Sequence, residues 1–158
     1  MTLIVIGILF AALFATALLS KRRFGTLGLA LAAGALLANY ASRDTAQLLT
    51  ALDIPVSPFS ETTAAAILLI LLPALVLLFS GPSYMSRQQS ILGALLFASM
   101  ALLLLLRPLS TGLDTEPFRD ILQLVARYTN LLLALFISLA VADAWLTHNI
   151  KPSDKSKK

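Results

Sequence analysis

The chain of 158 residues is 58% hydrophobic and 13% charged, and it carries a net charge of +4. Soluble domains contain roughly 25% charged residues, and a water-soluble core of this size could not bury so much apolar surface. The basic residues lie between and after the apolar runs without interleaved aromatic residues, which argues against nucleic acid as a partner. Composition therefore predicts an all-α membrane protein whose main surroundings are the lipid bilayer.

Five apolar runs predict a bundle of five transmembrane helices in one domain, because about 20 helical residues cross the hydrocarbon core. The first run has no charge before it and Lys21, Arg22 and Arg23 after it. This order is the reverse of a secretory signal, so we expect a retained span. The predicted spans are residues 2–20, 24–42, 62–80, 89–107 and 120–147, and the domain ends near residue 150.

The segments around the spans add three expectations. Residues 44–52 are predicted to form a short interfacial helix with leucines on its apolar side. Pro73 cannot donate a hydrogen bond to Leu69 in the third span, so we predict a kink that either shapes the bundle or acts as a hinge. Residues 151–158 form a lysine-rich tail that we expect to be disordered.

The charges of the loops predict the orientation in the membrane. With five spans, eight of the twelve basic residues share one face, whereas the opposite face holds six of the eight acidic residues. The positive-inside rule makes the basic face cytoplasmic, so the N-terminus is expected outside and the C-terminus inside. A four-span arrangement would leave the lysines of the tail outside, which favours five spans. Trp145 and His148 should then lie at the inner headgroup level.

Small residues spaced four apart allow membrane helices to approach each other closely. Three spans have such a face, and we interpret these faces as packing surfaces inside the bundle. They are Gly7, Ala11 and Ala15; Ala30, Gly34 and Ala38; and Ala134, Ser138 and Ala142.

A stripe of polar and small residues follows one face of the fifth helix from Asp120 to Ser138, and it is placed to face the outer end of the second span. In one interpretation the stripe projects into external water and Asn130 makes an interhelical hydrogen bond. In the other, it lines an outward-facing polar cavity that binds a ligand. The residues of this candidate cavity are Asn39, Tyr40, Gln123, Arg127, Asn130 and Ser138.

Asp143 is the only acid within an otherwise apolar stretch, where an unpaired charge is costly. We predict a structural ion pair with Arg22 or Arg23 across the bundle, and we keep a proton or ion relay as the alternative. By the same reasoning, Arg107 is expected to pair with an acid of the loop that follows it or to extend to the outer headgroups.

The sequence contains few residues that could carry out enzyme catalysis. The sequence has one histidine, no cysteine, no glycine-rich phosphate loop and no close pair of carboxylates on a helix. Without cysteine, disulfides and thiolate metal sites are excluded. We therefore predict no catalytic residues, no metal site and no cofactor.

Two motifs open the second and the fourth span. They are Lys21-Arg22-Arg23-Phe24-Gly25 and Arg87-Gln88-Gln89-Ser90-Ile91-Leu92-Gly93. Over residues 1–106 this order resembles the colicin V production family of small bacterial inner-membrane proteins. The family usually has a glycine before the aromatic residue and an arginine-glutamate pair after it, whereas this chain has Phe24 followed by Gly25 and then Thr26-Leu27. The apolar fifth segment also departs from the usual four-span description. The resemblance implies a bacterial inner-membrane location and an accessory role in export, envelope maintenance or solute movement.

The leading functional hypothesis is a non-enzymatic accessory or scaffold component of an envelope or secretion process. Its partners would be other membrane proteins or further copies of the chain. The alternative is a small transporter or channel subunit that uses the polar stripe of the fifth helix, and a membrane-embedded enzyme is a third hypothesis. The first two hypotheses differ in the surroundings of the polar stripe. In the scaffold hypothesis it packs against other helices without water, and in the transporter hypothesis it lines a water-filled space.

Overall fold

Five α-helices make up most of the chain that the computed structural model describes, namely residues 2–54, 56, 60–80, 83–84, 86–110 and 119–149. The helices are α1 (Thr2–Ser20), α2 (Phe24–Ala51), α3 (Glu61–Ser80), α4 (Arg87–Ser110) and α5 (Arg119–Asn149). Within the described residues no strand forms, apart from one antiparallel bridge between Arg22 and Ser83. The predicted all-α fold class is confirmed. The lysine-rich tail lies outside the described residues.

Four of the helices contain segments that are long and apolar enough to cross a membrane. These segments are Phe24–Ala51, Glu61–Ser80, Arg87–Leu109 and Arg127–Leu146. In α1 the described apolar stretch, Ile6–Ser20, is shorter than these four. The prediction of a multi-pass membrane helix bundle is confirmed at this level, while the fifth span and the orientation stay predictions.

Successive helices run in alternating directions, so the bundle has two distinct ends. At one end the backbone N–H of Tyr84 donates to the carbonyl of Lys21 at 2.8 Å, which joins the α1–α2 turn to the α3–α4 loop. We call this end, formed by residues 21–25, 83–84 and 86 and the part of α5 around Asp143, the Tyr84 end. The opposite end, which contains Arg43 on α2 and Arg107 on α4, is called the Arg43 end.

The core forms around α2, which contacts α3 most extensively and also packs against α4 and α5, while α1 lies mainly on α4. Large side chains from α2 and α4 fill the centre, and among the described side chains α5 adds the buried Ala140 and the half-buried Phe136. Most of α5 is therefore left to face lipid. The largest fully buried side chains are Phe24, Leu27, Leu31, Phe97, Met100 and Leu105.

Close packing of α2 on α3 depends on Gly34. A Cβ atom at this position would overlap the carbonyl oxygen of Ile70 and lie 2.7 Å from that of Leu69. The small-residue face of α2, Ala30, Gly34 and Ala38, is buried, so the packing prediction is confirmed there. It is wrong for the small-residue faces of α1 and α5, which are exposed within this chain. The helix α1 instead packs through Leu13, Phe14 and Ala17.

The helix α2 continues beyond its predicted span without a break, so the expected separate helix at residues 44–52 is wrong. It ends in a Schellman motif, in which Asp53 has a φ of 52° and the N–H of Ile54 donates to the carbonyl of Leu49 at 3.2 Å. The Thr50 hydroxyl then donates to the Glu61 carboxylate at 2.9 Å and ties α2 to the start of α3. Pro73 lies inside the continuous α3, and the kink stays a prediction.

Candidate functional site

At the Tyr84 end, the side chain of Arg22 binds the last turn of α3. Its Nε donates to the Leu78 carbonyl at 2.9 Å, and an Nη donates to the Phe79 carbonyl at 2.7 Å. The final carbonyls of a helix lack intrahelical donors and carry the negative end of the helix dipole. A cation at this position therefore both satisfies the carbonyls and stabilises the C-terminus of α3.

Asp143 and Tyr84 together cap the N-terminus of α2. The N–H of Gly25 donates to Asp143 Oδ2 at 2.7 Å, and the N–H of Phe24 donates to the Tyr84 hydroxyl oxygen at 3.1 Å. The Tyr84 hydroxyl in turn donates to Asp143 Oδ2 at 3.2 Å. The N-cap residue of α2, Arg23, makes no side-chain cap of its own. Side chains from two other parts of the chain thus satisfy the first N–H groups of the helix.

Glycine permits this arrangement, because α5 lies against the α2 backbone itself. A Cβ on Gly25 would lie 2.7 Å from both the Ala140 carbonyl oxygen and the Ala144 nitrogen. The Tyr84 ring occupies a similar position over Gly93 of α4, where a Cβ would lie 2.8 Å from the tyrosine oxygen. Three helices and one loop therefore meet around Asp143 and Tyr84.

The predicted ion pair of Asp143 with Arg22 or Arg23 stays a prediction, although the acid does lie against the turn that carries both arginines. The Arg23 guanidinium lies 5.5 Å from the centre of the Tyr84 ring, in a cation–π arrangement. Burial is the main cause that raises the pKa of Tyr84 above its usual value, and the Asp143 carboxylate contributes in the same direction. Tyr84 therefore keeps its proton at neutral pH and can donate it to Asp143.

A second feature, towards the Arg43 end, is a cavity of about 630 Å³ between α2, α3, α4 and α5. Its described polar lining comes from three helices. These residues are Asn39, Ser42, Arg43, Arg107, Thr129 and Asn130. The described lining contains no Asp or Glu, so its formal charge is positive.

The contact between α2 and α5 differs between the two ends of the bundle. At the Tyr84 end, Gly28 faces Ala140, whose Cβ would lie 3.0 Å from a Cβ on the glycine. Towards the Arg43 end, Leu36 and Asn39 on α2 line the same space as Leu133 on α5.

The structure brings together part of the predicted polar cavity. Asn39 and Asn130, from different helices, both line it. Tyr40 is 86% exposed and Arg127 is exposed, and neither belongs to the lining. Ser138 is also exposed, and its hydroxyl donates to the Ala134 carbonyl at 2.8 Å. The side chain of Gln123 lies outside the described residues.

Four polar lining residues were not expected: Ser42, Arg43, Arg107 and Thr129. Arg43 lies one turn beyond Asn39, so a continuous α2 in the prediction would have placed both on one face. The predicted fourth span ends at Arg107, whereas α4 continues to Ser110. Its expected acidic partners, Asp114 and Glu116, lie outside the described residues.

Comparison of the chain with protein-family models, with curated proteins and with solved structures found no match.

Proposed function

We propose that this chain is a multi-pass protein of the bacterial inner membrane that binds a ligand in the cavity between its helices, as a small transporter or channel subunit. The observation that carries this proposal is the convergence of Asn39, Asn130, Arg43 and Arg107 on one space of about 630 Å³. Polar and charged residues are costly in membrane helices and characteristically mark substrate or ion pathways. The cavity volume also falls within the roughly 300–1,000 Å³ typical of small-molecule sites.

The lining chemistry favours binding over catalysis. Guanidinium groups, amides and hydroxyls donate and accept hydrogen bonds, but none of them exchanges protons readily near neutral pH. The described lining lacks the pairing of an acid with a base that proton transfer needs. A non-enzymatic role is therefore part of the proposal.

The proposal includes five spans, with the N-terminus outside and the C-terminus in the cytoplasm. Its support is the positive-inside rule, because Lys21, Arg22, Arg23 and Arg87 cluster near the Tyr84 end. In this orientation the cavity lies in the outer half of the membrane. The resemblance of residues 1–106 to colicin V production proteins is consistent with a bacterial inner-membrane location.

Single cysteines test the sidedness directly, because the chain has no native cysteine. We expect Gln47→Cys, near the Arg43 end, to react with a membrane-impermeant maleimide in right-side-out membrane vesicles. Ser83→Cys, at the Tyr84 end, should react only in inside-out vesicles. Both positions are exposed, so reactivity reports sidedness rather than burial. The opposite pattern would overturn the orientation.

The ligand-binding proposal is tested by blocking the cavity. In cells whose phenotype depends on this chain, Asn39→Cys and Asn130→Cys should support that phenotype until a maleimide occupies the cavity, and then lose it. The matched control is Tyr40→Cys, which is adjacent to Asn39 but outside the lining. It should retain the phenotype after complete modification. An unaltered phenotype with fully modified Asn39→Cys would refute the proposal.

An accessory or scaffold role is a second candidate, and a specific observation favours it. Gly7, Ala11 and Ala15 on α1 are exposed, and a Cβ on Gly7 would meet nothing within 4 Å. Small residues at the surface of a membrane helix suit close association with a helix of another protein. The blocking experiment separates the two candidates, because a scaffold would keep its phenotype when the cavity is filled.

A further inference from the structure

We infer that α5 opens and closes the cavity by pivoting at its contact with Gly25, and that closure brings Asn130 of α5 onto Asn39 of α2. The structure shows the open form. This movement controls access to the cavity of the proposed function, on which the inference rests. Its support is the contact at the Tyr84 end, the match between two helix faces, and the small buried share of α5.

The pivot lies where α5 packs directly on the backbone of α2. A Cβ on Gly25 would lie 2.7 Å from the Ala144 nitrogen, and a Cβ on Gly28 would lie 3.0 Å from the Cβ of Ala140. The Asp143 carboxylate also accepts a hydrogen bond from the Gly25 N–H at 2.7 Å. Close packing and a hydrogen bond to a charged group hold this end of α5, so a change in the angle of the helix is centred here.

The face of α2 that meets α5 at the pivot continues along the cavity. It has one residue at alternating steps of three and four, and none of these residues is large and apolar. They are Gly25, Gly28, Ala32, Ala35, Asn39 and Ser42. Such steps keep residues on one face of a helix, and the last four line the cavity. The α2 helix therefore offers α5 a shallow surface along the whole cavity.

The α5 helix has the matching face in the opposite direction, again at alternating steps of four and three. Its residues are Ala144, Ala140, Ile137, Leu133 and Asn130. The two alanines lie against Gly25 and Gly28, and the other three residues line the cavity. Both helices rise about 1.5 Å per residue, so extending the register from the pivot places Leu133 opposite Ala35 and Asn130 opposite Asn39. We call these two faces the α2–α5 seam.

Little of α5 is buried in the open form. In its apolar segment 6% of the residues are buried, whereas the share is 22–50% in the corresponding segments of α2, α3 and α4. Its described contacts are with α2 and, less extensively, with α4. Segments with few buried contacts move at a low cost in free energy. The part of α5 beyond the pivot is therefore the helix segment best able to move.

Closure would fill the cavity with side chains of α5 itself. Leu133 would pack against Ala35, and such packing of large on small side chains drives helix association in membranes. The amides of Asn39 and Asn130 are not hydrogen-bonded to each other in the open form, and closure would bring them within reach. A ligand in the cavity occupies the same space as these side chains. Ligand binding and closure therefore exclude each other.

Distances between spin labels on the full-length chain in nanodiscs test the movement. Gln47→Cys with Arg127→Cys reports on the Arg43 end, and Ser83→Cys with Trp145→Cys reports on the Tyr84 end. All four positions are exposed and outside the lining. Pulsed electron paramagnetic resonance should give two distance populations for the first pair and one for the second. A single population for the first pair, or two for both pairs, would overturn the pivot.

Substitutions in the seam identify the shorter distance as the closed form. Ala35→Leu occupies the position that Leu133 needs, so it should remove the shorter population. The matched control is Ala33→Leu, which makes the same change at an exposed position of α2 outside the lining and should keep both populations. Equal populations in the two variants would refute closure along the seam.

The asparagine pair is tested with the same labels. Asn39→Ala should lower the ratio of closed to open form about threefold, the factor for an average interhelical hydrogen bond in a membrane. Tyr40→Phe, which removes a hydroxyl from the adjacent residue outside the lining, should leave the ratio unchanged. A ratio that Asn39→Ala does not alter would overturn the contact between the two amides.

Failure of this inference and failure of the proposed function give different results. If the maleimide-modified Asn39→Cys chain loses the phenotype but the label distances show one population, the cavity is functional and α5 does not control it. If α5 moves but the modified chain keeps the phenotype, the functional role of the cavity is refuted and the movement stands.

Discussion

Replacing Gly34 by alanine should lower the free energy of unfolding by about 1–3 kcal/mol, the range for overpacked cores. The added Cβ would overlap the Ile70 carbonyl oxygen and crowd that of Leu69. Both atoms belong to the α3 backbone, so neither can rotate away as the end of a flexible side chain would. The helices α2 and α3 must separate, and their interface is the most extensive in the bundle.

Gly7→Ala is the matched control for this substitution. It makes the same chemical change within an α-helix, but its Cβ would meet no atom within 4 Å. Alanine is favoured over glycine in helices by about 1 kcal/mol, so this variant should be as stable as the unmodified chain or more so. Thermal unfolding in detergent, followed by far-UV circular dichroism, measures both. Equal midpoints for the two variants would show that the α2–α3 contact at Gly34 does not limit stability.

The sequence predicted the helices well, because long apolar runs allow few alternatives in a membrane. The continuation of α2 to Ala51 does not follow from the sequence pattern, because the charges of Arg43 and Asp44 predict the end of the apolar span at Ser42. Charged residues indicate where the hydrocarbon core of the membrane ends, whereas a helix ends where its backbone hydrogen bonds are interrupted or capped. No proline or glycine occurs between Ser42 and Ala51, so nothing in that segment interrupts the hydrogen bonds of the helix.

The candidate site could be predicted only in part. Asn39 and Asn130 were recognisable because uncharged polar residues are few in this chain's apolar runs, so each required a partner. Their convergence with Arg107 depends on the relative register of antiparallel helices, which side-chain periodicity alone does not determine. The same limit applies to Asp143. Its need for a partner followed from its charge, but the Gly25 N–H and the Tyr84 hydroxyl are supplied by the tertiary arrangement.

Replacing Asp143 by alanine should lower the free energy of unfolding by about 2–3 kcal/mol, because a hydrogen bond to a charged group is worth about 1.5–3 kcal/mol. The Gly25 N–H would lose its acceptor at 2.7 Å, and the positive end of the α2 dipole would lose a nearby anion. Tyr84→Phe keeps the ring over Gly93 and removes only the hydroxyl, so a loss of about 1 kcal/mol is expected. Thermal unfolding at a fixed detergent concentration measures each variant.

Asp44→Ala is the control, since it removes an exposed acid from α2 far from the Tyr84 end and should change the midpoint little. The double variant of Asp143→Ala with Tyr84→Phe should lose less than the two single losses combined, because each single variant already removes the hydrogen bond from the Tyr84 hydroxyl to Asp143. Full additivity would mean that the two side chains stabilise separate parts of the bundle. Among the described residues, the Gly25 N–H and Asp143 form a hydrogen bond that connects α2 to α5, so a loss smaller than the sum would show that the two side chains act as one cap.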